Sequence, residues 1–478
     1  MKKILDKYKT LSIQAKAALW FLVCSVIQKG ISVITTPIFT RLMSTSDYGE
    51  FNVFTSWQGI VTAVVILTLP WGVFTPGLIK FDQKKNEFTS ALLGLMTTLT
   101  IIWLILYIIF RSFWNKVLGL STVMMLAMFA LIWATSVFDF WSMRQRVAYK
   151  YQKLVVLTLI ISFLNPVIGI ICVRHSSNKA AARALSMTII DLFIYFGLFI
   201  SMIKEGRVFY SKKIWSYGLK FNIPLIPHYL SQRVLNNADR IMIKSMVSAS
   251  ASGIYSLAYS ISLIMMMVNT SLSQALSPWI LKKIKDKKIE DIQGIAFPAV
   301  LIVGVMNLLL IGFAPEVVKI FAPVEYYDSI WVIPPIAMSV FFTFLYDLFS
   351  NVEFYYEKTK NMSIATLIGA VLNIILNYIF INIFGYYAAG YTTLACYIIY
   401  AICHYIFMNN ICKKYLDGKH MFDLKMLIFT SLIFMLSGFG IMFTYKLVIV
   451  RYIIIFTIII TVFALRNKIK IFLLSLKK

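Results

Sequence analysis

KAALWFLVCSVIQKGISVITTPIFTR, residues 16–41, and KFNIPLIPHYLSQRVLNNADRIMIK, residues 220–244, are two hydrophobic stretches that carry the same three cations. Lys16, Lys29 and Arg41 of the first return as Lys220, Arg233 and Lys244 of the second, the first two at an offset of 204, and Gln28-Lys29 is answered by Gln232-Arg233. A basic side chain near the middle of a bilayer costs roughly 2.5 to 3.5 kcal/mol on insertion scales, so a chain that places such residues twice faces them toward an anionic ligand or a wet cavity.

The repeat extends beyond the cations. Thr75-Pro76-Gly77-Leu78-Ile79-Lys80 aligns with Ser277-Pro278-Trp279-Ile280-Leu281-Lys282 at an offset of 202. Phe138-Asp139-Phe140-Trp141-Ser142 matches Tyr346-Asp347-Leu348-Phe349-Ser350 at 208, and Thr158 to Asn165 matches Thr366 to Asn373 at the same offset. Several matches in one order argue for duplication. Each repeat holds six hydrophobic segments, and an even number preserves orientation, so the expected halves are related by an axis along the membrane normal, with the substrate site between them.

Composition sets the class. In 478 residues, 60% are hydrophobic, 14% are charged and the mean hydropathy is +0.80, far too apolar for a soluble globule. Unbroken apolar runs such as Ile101 to Phe110 exclude a closed barrel, which needs polar/apolar alternation. The expectation is an all-α polytopic membrane protein of about fourteen helices: two pseudo-symmetric six-helix bundles around a central cavity, plus two C-terminal helices. The domains read as residues 1–203, a cytoplasmic linker 204–217, a second bundle 218–411, and helices 13–14 with a basic tail at 412–478. Spans two and seven read as 52–79 and 218–246. Loops on the side of the N-terminus hold about 30 Lys and Arg against about 9 opposite, so both termini are expected in the cytoplasm. The net charge of +26 then belongs to contact with anionic lipid headgroups, with no nucleic-acid partner. Five cysteines and four histidines show neither a disulfide framework nor metal spacing, and the first span has no convincing cleavage site.

Arg233, Arg240 and Lys244 fall within about 20° of one line on a helix, with Asn237 about 40° away. The competing role for Lys29 or Arg233 is a fixed pair with Asp191 or Asp239, and that for Arg41 and Lys244 is interfacial anchoring. Asp139 and Asp347 lie at matching depths to Lys16 and Lys220. These four are candidates for a gate, and Asp191 or Asp239 for a site carrying a coupling proton or sodium ion, against the alternative of fixed ion pairs. Asn165, Asn373 and Asn377 suit interhelical hydrogen bonds.

Pro37-Ile38-Phe39-Thr40-Arg41-Leu42 followed by Asp47-Tyr48-Gly49, Asn237-Ala238-Asp239-Arg240 leading to Gly253-Ile254-Tyr255, and Asn373-x-x-x-Asn377 followed by Gly385 and Ala388-Ala389-Gly390 resemble the polysaccharide-export flippases. These are the Wzx-type members of the multidrug/oligosaccharidyl-lipid/polysaccharide exporter superfamily. The resemblance runs through the first twelve helices. It implies transport of an undecaprenyl-diphosphate-linked oligosaccharide from the cytoplasmic to the outer leaflet of a bacterial cytoplasmic membrane. Glycosyltransferases and a polysaccharide polymerase are the partners to expect. A diphosphate needs charge-assisted donors in a confined wet site, which Lys29 and Arg233 supply, with Arg41, Asn237, Arg240 and Lys244 as further contacts.

An integral-membrane polysaccharide enzyme is disfavoured because every expected outward loop is short. A cation-coupled multidrug antiporter of the same superfamily calls for acidic and aromatic cavity positions, whereas this chain duplicates basic ones. A channel lacks a filter motif. Cysteine labels at Lys84, Lys285 and Lys414 are expected to report cytoplasm, and those at Asp47, Asn178 and Tyr326 the exterior. Reversal at most of these sites overturns the orientation and the direction of export with it.

Overall fold

The computed structural model describes residue 10 and residues 12–466, with backbone alone at 359–361. Lys2, Lys3, Lys7 and Lys9, and the basic tail from residue 467, lie outside the described residues. The chain divides into two compact units, Met1–Asn237 and Ala238–Lys478.

The first unit is built from α1 (Ile13–Leu42), α2 (Thr45–Val65), α3 (Phe74–Lys80), α4 (Lys85–Ile109), α5 (Arg111–Leu118), α6 (Thr122–Val147), α7 (Tyr151–Arg174), α8 (Lys179–Gly206) and α9 (Lys212–Asn222), and takes in the start of α10 (Ile226–Met246). The second continues with α11 (Ala249–Lys285), α12 (Glu290–Gly312), α13 (Ala314–Phe321), α14 (Ile333–Tyr355), α15 (Thr359–Phe384), α16 (Ala388–Tyr415), α17 (Leu424–Phe443) and α18 (Val448–Ala464). Among the described residues ten segments are long and apolar enough to cross a membrane, one of them covering both α15 and α16. With α2, the α9–α10 pair and α18, each of the fourteen expected spans has a helix or a helix pair.

Local chemistry sets the helix ends. Ser44 and Asp47 form a reciprocal capping box on α2, Asn178 caps α8, and Gly385 ends α15 at a φ of 71° that only glycine adopts freely. In the first unit α8 packs on both α6 and α7, and α4 packs on α6; in the second α16 packs on both α14 and α15, and α12 on α14. The same helix pairs thus recur in each half. Phe74 of α3 anchors the first core, stacked on Phe88 at 6.1 Å and edge-on to Phe140 at 4.7 Å. The second is organised on α14, buried along nearly its whole length, with Phe341 stacked on Phe434 of α17 at 4.2 Å. Arg451 of α18, 2% exposed, pairs with Glu316 of α13.

Two spans depart from continuous helices. Span two stops at Val65, and residues 66–73 run without regular helix until α3. Leu67 and Thr68 take φ values of 50° and 55°, the left-handed region that non-glycine residues avoid. Pro70 supplies no N–H to continue a helix. The Asn222 side chain repairs the break: its amide donates to Leu67 O at 2.7 Å and Thr68 Oγ1 at 3.4 Å, and its Oδ1 accepts from the Val73 amide at 2.9 Å. A Cβ at Gly72 would stand 2.5 Å from Asn222 Oδ1, so only glycine admits this approach. Span seven breaks opposite it: α9 ends at Asn222, Ile223–Leu225 form a 3-10 turn, and α10 follows with Pro224 and Pro227 at the junction. Residues 212–217, part of the expected linker, begin α9, where the Trp215 indole donates to Ala91 O at 2.8 Å.

Asn222→Ala is expected to cost roughly 1 to 3 kcal/mol, because it strands three buried backbone and hydroxyl groups. The check is the thermal unfolding midpoint of purified protein against Asn382→Ala, whose side chain bonds only Tyr378 O of its own helix. Equal midpoints for the two variants would mean that the break holds without its clamp.

Candidate functional site

The break in span two presents Trp71, and Trp71 carries a cation of span seven. The Arg233 guanidinium lies over its indole ring, 4.6 Å from the centroid. Asp139 has Arg233 as its first electrostatic partner, with Trp71 and Arg146 also acting on it. Among the described residues Arg233 and Asp139 act on one another without a contact within ion-pair distance. Arg146 in turn lies over the Phe21 ring of α1 at 4.7 Å, and Tyr229 donates to Trp71 O at 3.3 Å. Arg233 is half-buried, and its planar fork of donors has no carboxylate in contact among the described residues.

Lys29 is half-buried on α1, next to Gln28, whose amide donates to Ser162 Oγ at 3.0 Å. Arg41 closes α1 by donating to Pro37 O at 2.9 Å; the helix runs through Pro37 without a break. Lys16 borders a crevice of about 440 Å³ with Lys150, Lys153, Tyr149 and Tyr151. Lys220 sits in the last turn of α9, on the far side of the 3-10 break from Arg233. Asn237 donates to Arg233 O at 2.8 Å. Asp139 therefore meets Arg233 and Arg146, while Lys16 is grouped with other lysines.

Asp191 is buried on α8 and accepts from Asn165 Nδ2 at 2.9 Å. Arg183, one helix face away, is its electrostatic partner and donates to Asn165 O at 3.2 Å. The Arg183 guanidinium also covers Phe39 at 4.4 Å and Phe51 at 5.4 Å. A Cβ at position 169 would meet Arg183 Nη1 at 2.5 Å, which explains Gly169.

In the second unit Asp239 is 3% exposed and accepts three hydrogen bonds: Tyr255 Oη at 2.6 Å, Asn377 Nδ2 at 2.6 Å and Thr393 Oγ1 at 2.8 Å. Asn377 also donates to Asn373 Oδ1 at 3.2 Å and accepts from Thr392. Among the described residues no cation pairs with Asp239. Arg240 lies over Tyr259 at 4.2 Å, and Lys244 closes the last turn of α10. Asp347 accepts from Ser273 Oγ at 3.2 Å, with Tyr346 and His404 beside it.

Sequence reasoning missed Trp71, Arg146, Arg183 and the fully buried pair His404 Nδ1 and Glu353 Oε1, 2.5 Å apart. For Trp71 a signal existed: Pro70-Trp71-Gly72 inside an apolar run is a break motif. For Arg183 and Glu353 there was none, because each looks like a residue at a span end.

A family model described as polysaccharide biosynthesis protein matches residues 15–284, and one described as MatE matches residues 224–379. Lsg locus putative protein 1 of Haemophilus influenzae is 26% identical over 164 residues, 33% of this chain and 39% of that protein. The chain thus spans well under half of that relative's length. The structure of lipid II flippase MurJ in an inward closed conformation is 17% identical with a TM-score of 0.63, covering 91% of this chain and 100% of that one. An inward-facing multidrug resistance MATE family transporter of the MOP superfamily is 13% identical with a TM-score of 0.62, covering 84% and 99%. Both likenesses are likenesses of fold.

The Arg183–Asp191 arrangement generates a stability test. Arg183→Ala leaves a buried carboxylate uncompensated and is expected to destabilise the protein by roughly 2 to 4 kcal/mol, with most of the loss recovered in Arg183→Ala/Asp191→Asn. Thermal unfolding of the three proteins measures it. No recovery in the double variant would mean that the two do not act as a pair.

Proposed function

The chain belongs to the polysaccharide biosynthesis protein family, and on that premise we propose that it flips an undecaprenyl-diphosphate-linked oligosaccharide from the cytoplasmic to the outer leaflet by alternating access. It is a multi-pass membrane transporter of the flippase and exporter class and not an enzyme. The cargo is a repeat unit of capsule, O-antigen or a similar surface polysaccharide, delivered by glycosyltransferases and consumed by a polymerase. The membrane is the bacterial cytoplasmic membrane, with both termini cytoplasmic.

One observation carries the proposal: a half-buried guanidinium, Arg233, rests on an aromatic face with no carboxylate in contact among the described residues. A membrane segment keeps such a charge only for an anion or water. Arg233 and its repeat counterpart Lys29 bind the diphosphate; Arg41, Asn237, Arg240 and Lys244 serve the rest of the headgroup. Asp139 and Asp347, with Lys16 and Lys220, gate the passage.

The coupling ion, a proton or sodium, is taken up at Asp239. Three neutral donors use three of about four acceptor positions of that carboxylate, whereas Asp191 has Arg183 built in beside it. The MatE match and this uncompensated acid also favour a second reading, cation-coupled drug export. Arg233 speaks against it, since a bare guanidinium repels a cationic drug.

Arg233→Ala is expected to abolish or strongly weaken export with membrane abundance intact, because losing a charged hydrogen-bond partner for phosphate costs about 1.5 to 3 kcal/mol. Arg233→Lys retains part of the activity, and Lys29→Arg is tolerated better than Lys29→Gln. The double variant Lys29→Gln/Arg233→Gln accumulates lipid-linked repeat units on the cytoplasmic leaflet, assayed by leaflet-specific labelling. Normal export by a stable double variant rules out the clamp.

A further inference from the structure

We infer that His404 and Glu353 form a proton-binding site inside the second unit, and that the proton which comes and goes sits on His404 Nε2. The site is separate from the clamp and from Asp239, and it does not depend on either reading.

The pair joins two packed helices. Glu353 stands in the last turn of α14 and His404 on α16, which packs on α14. Both side chains are 0% exposed, and His404 Nδ1 lies 2.5 Å from Glu353 Oε1. That distance is a hydrogen bond, and neither a bare nitrogen nor an ionised carboxylate oxygen can donate, so one hydrogen lies between the two atoms. The remaining two polar atoms of the pair, His404 Nε2 and Glu353 Oε2, are buried without a hydrogen-bond partner among the described residues. Orphaned polar atoms are rare in an interior, and two in one pair call for an explanation.

A second hydrogen supplies it. With Nε2 bare, the pair holds one hydrogen and a single negative charge. With a proton on Nε2 it is an imidazolium against a carboxylate, neutral overall. A hydronium ion that gives its proton to the Nε2 lone pair leaves as water and takes the buried net charge away, which a low-dielectric site favours. The two groups titrate as one unit.

The surroundings offer no other way to balance the charge. The His404 ring is edge-on to Tyr400 at 4.6 Å and tilted against Tyr346 at 5.4 Å, and the Tyr400 hydroxyl is bonded to Thr366 Oγ1 of α15 at 3.1 Å. Near the pair α14 also brings Asp347, which accepts from Ser273 of α11, and α16 brings Cys403; Asp423, which caps α17, acts on Tyr405. None of these is a cation. Lys358, whose backbone N–H donates to Glu353 O at 2.8 Å, carries its ammonium over Tyr415 at 5.5 Å.

The test is nitrogen-15 NMR of histidine-labelled full-length protein in which His175, His228 and His420 are replaced by glutamine, so that only His404 reports. As the solution goes from about pH 8 to about pH 5, the Nε2 resonance is expected to move from the bare to the N–H position while Nδ1 stays put. Glu353→Gln keeps an oxygen acceptor for Nδ1 and removes the charge. Protonating Nε2 then creates a lone buried cation, so the movement is expected to be lost from that range. An Nε2 resonance that stays fixed with Glu353 present marks a permanent structural pair and overturns the inference. Equal movement in Glu353→Gln overturns it as well, since the carboxylate then plays no part. Should Glu353→Gln fail to fold, Glu353→Asp decides: it keeps the charge, and an Nε2 that no longer moves overturns the site. Export is not part of this readout, so failure here leaves the clamp standing.

Discussion

An ionised side chain inside a bilayer persists only where something meets its charge, and the described parts of both units are arranged around that cost. Four different answers occur. Asp191 has a guanidinium, Arg183, joined to it through Asn165. Asp239 has three neutral donors and no cation among the described residues. Glu353 has the ring nitrogen of a fully buried His404 at 2.5 Å. Arg233 has the face of Trp71, with no carboxylate within ion-pair distance among the described residues. A guanidinium or an imidazole built in beside the acid answers its charge within the protein; neutral donors or an aromatic face leave it open to something that arrives.

The duplicated frame shows where the halves have diverged. Asn165 and Asn373 correspond in the repeat and both belong to buried polar clusters, Asn373 through Asn377. In the first unit the acid of the cluster comes from α8 and its base from the same helix. In the second the acid comes from α10, the hydroxyls from α11 and α16, and the amide from α15. One cluster is an acid and a base of the same helix joined through an asparagine of its neighbour. The other ties four helices to a single carboxylate, so any change in the charge of Asp239 is felt by all four at once. A cluster of that kind suits coupling, and a closed pair suits permanence.

Class, span number and the duplication were legible in the sequence because they rest on long-range averages: hydropathy over about twenty residues and repeated motifs at a near-constant offset. Arg233 and Asp139 were legible for the same reason, as charges in apolar runs. Their meeting was not. The matched depths of Asp139 and Lys16 suggested a pair, yet the structure brings Asp139 to Arg233 and Arg146. Depth along a helix says nothing of which face turns toward which neighbour. The breaks at 66–73 and 223–225 escaped because both segments are apolar and each break is stabilised from the other, through Asn222, at a distance of some 150 residues in sequence. Pro70, Gly72, Pro224 and Pro227 mark weak points in a helix, but only the tertiary clamp decides that the chain comes apart there.

That clamp also explains why irregular backbone is tolerable at this depth. Unwound segments do not survive against lipid; they need partners within the protein for the polar groups they release. Thr68, Leu69 and Val73 are fully buried, and Asn222 supplies the donor and acceptor that a missing helical turn would have provided. One asparagine thus substitutes for one turn. The gain over a continuous helix is local: backbone hydrogen bonds at both the Trp71 N–H and its carbonyl fix the main chain of a residue whose ring carries the Arg233 guanidinium.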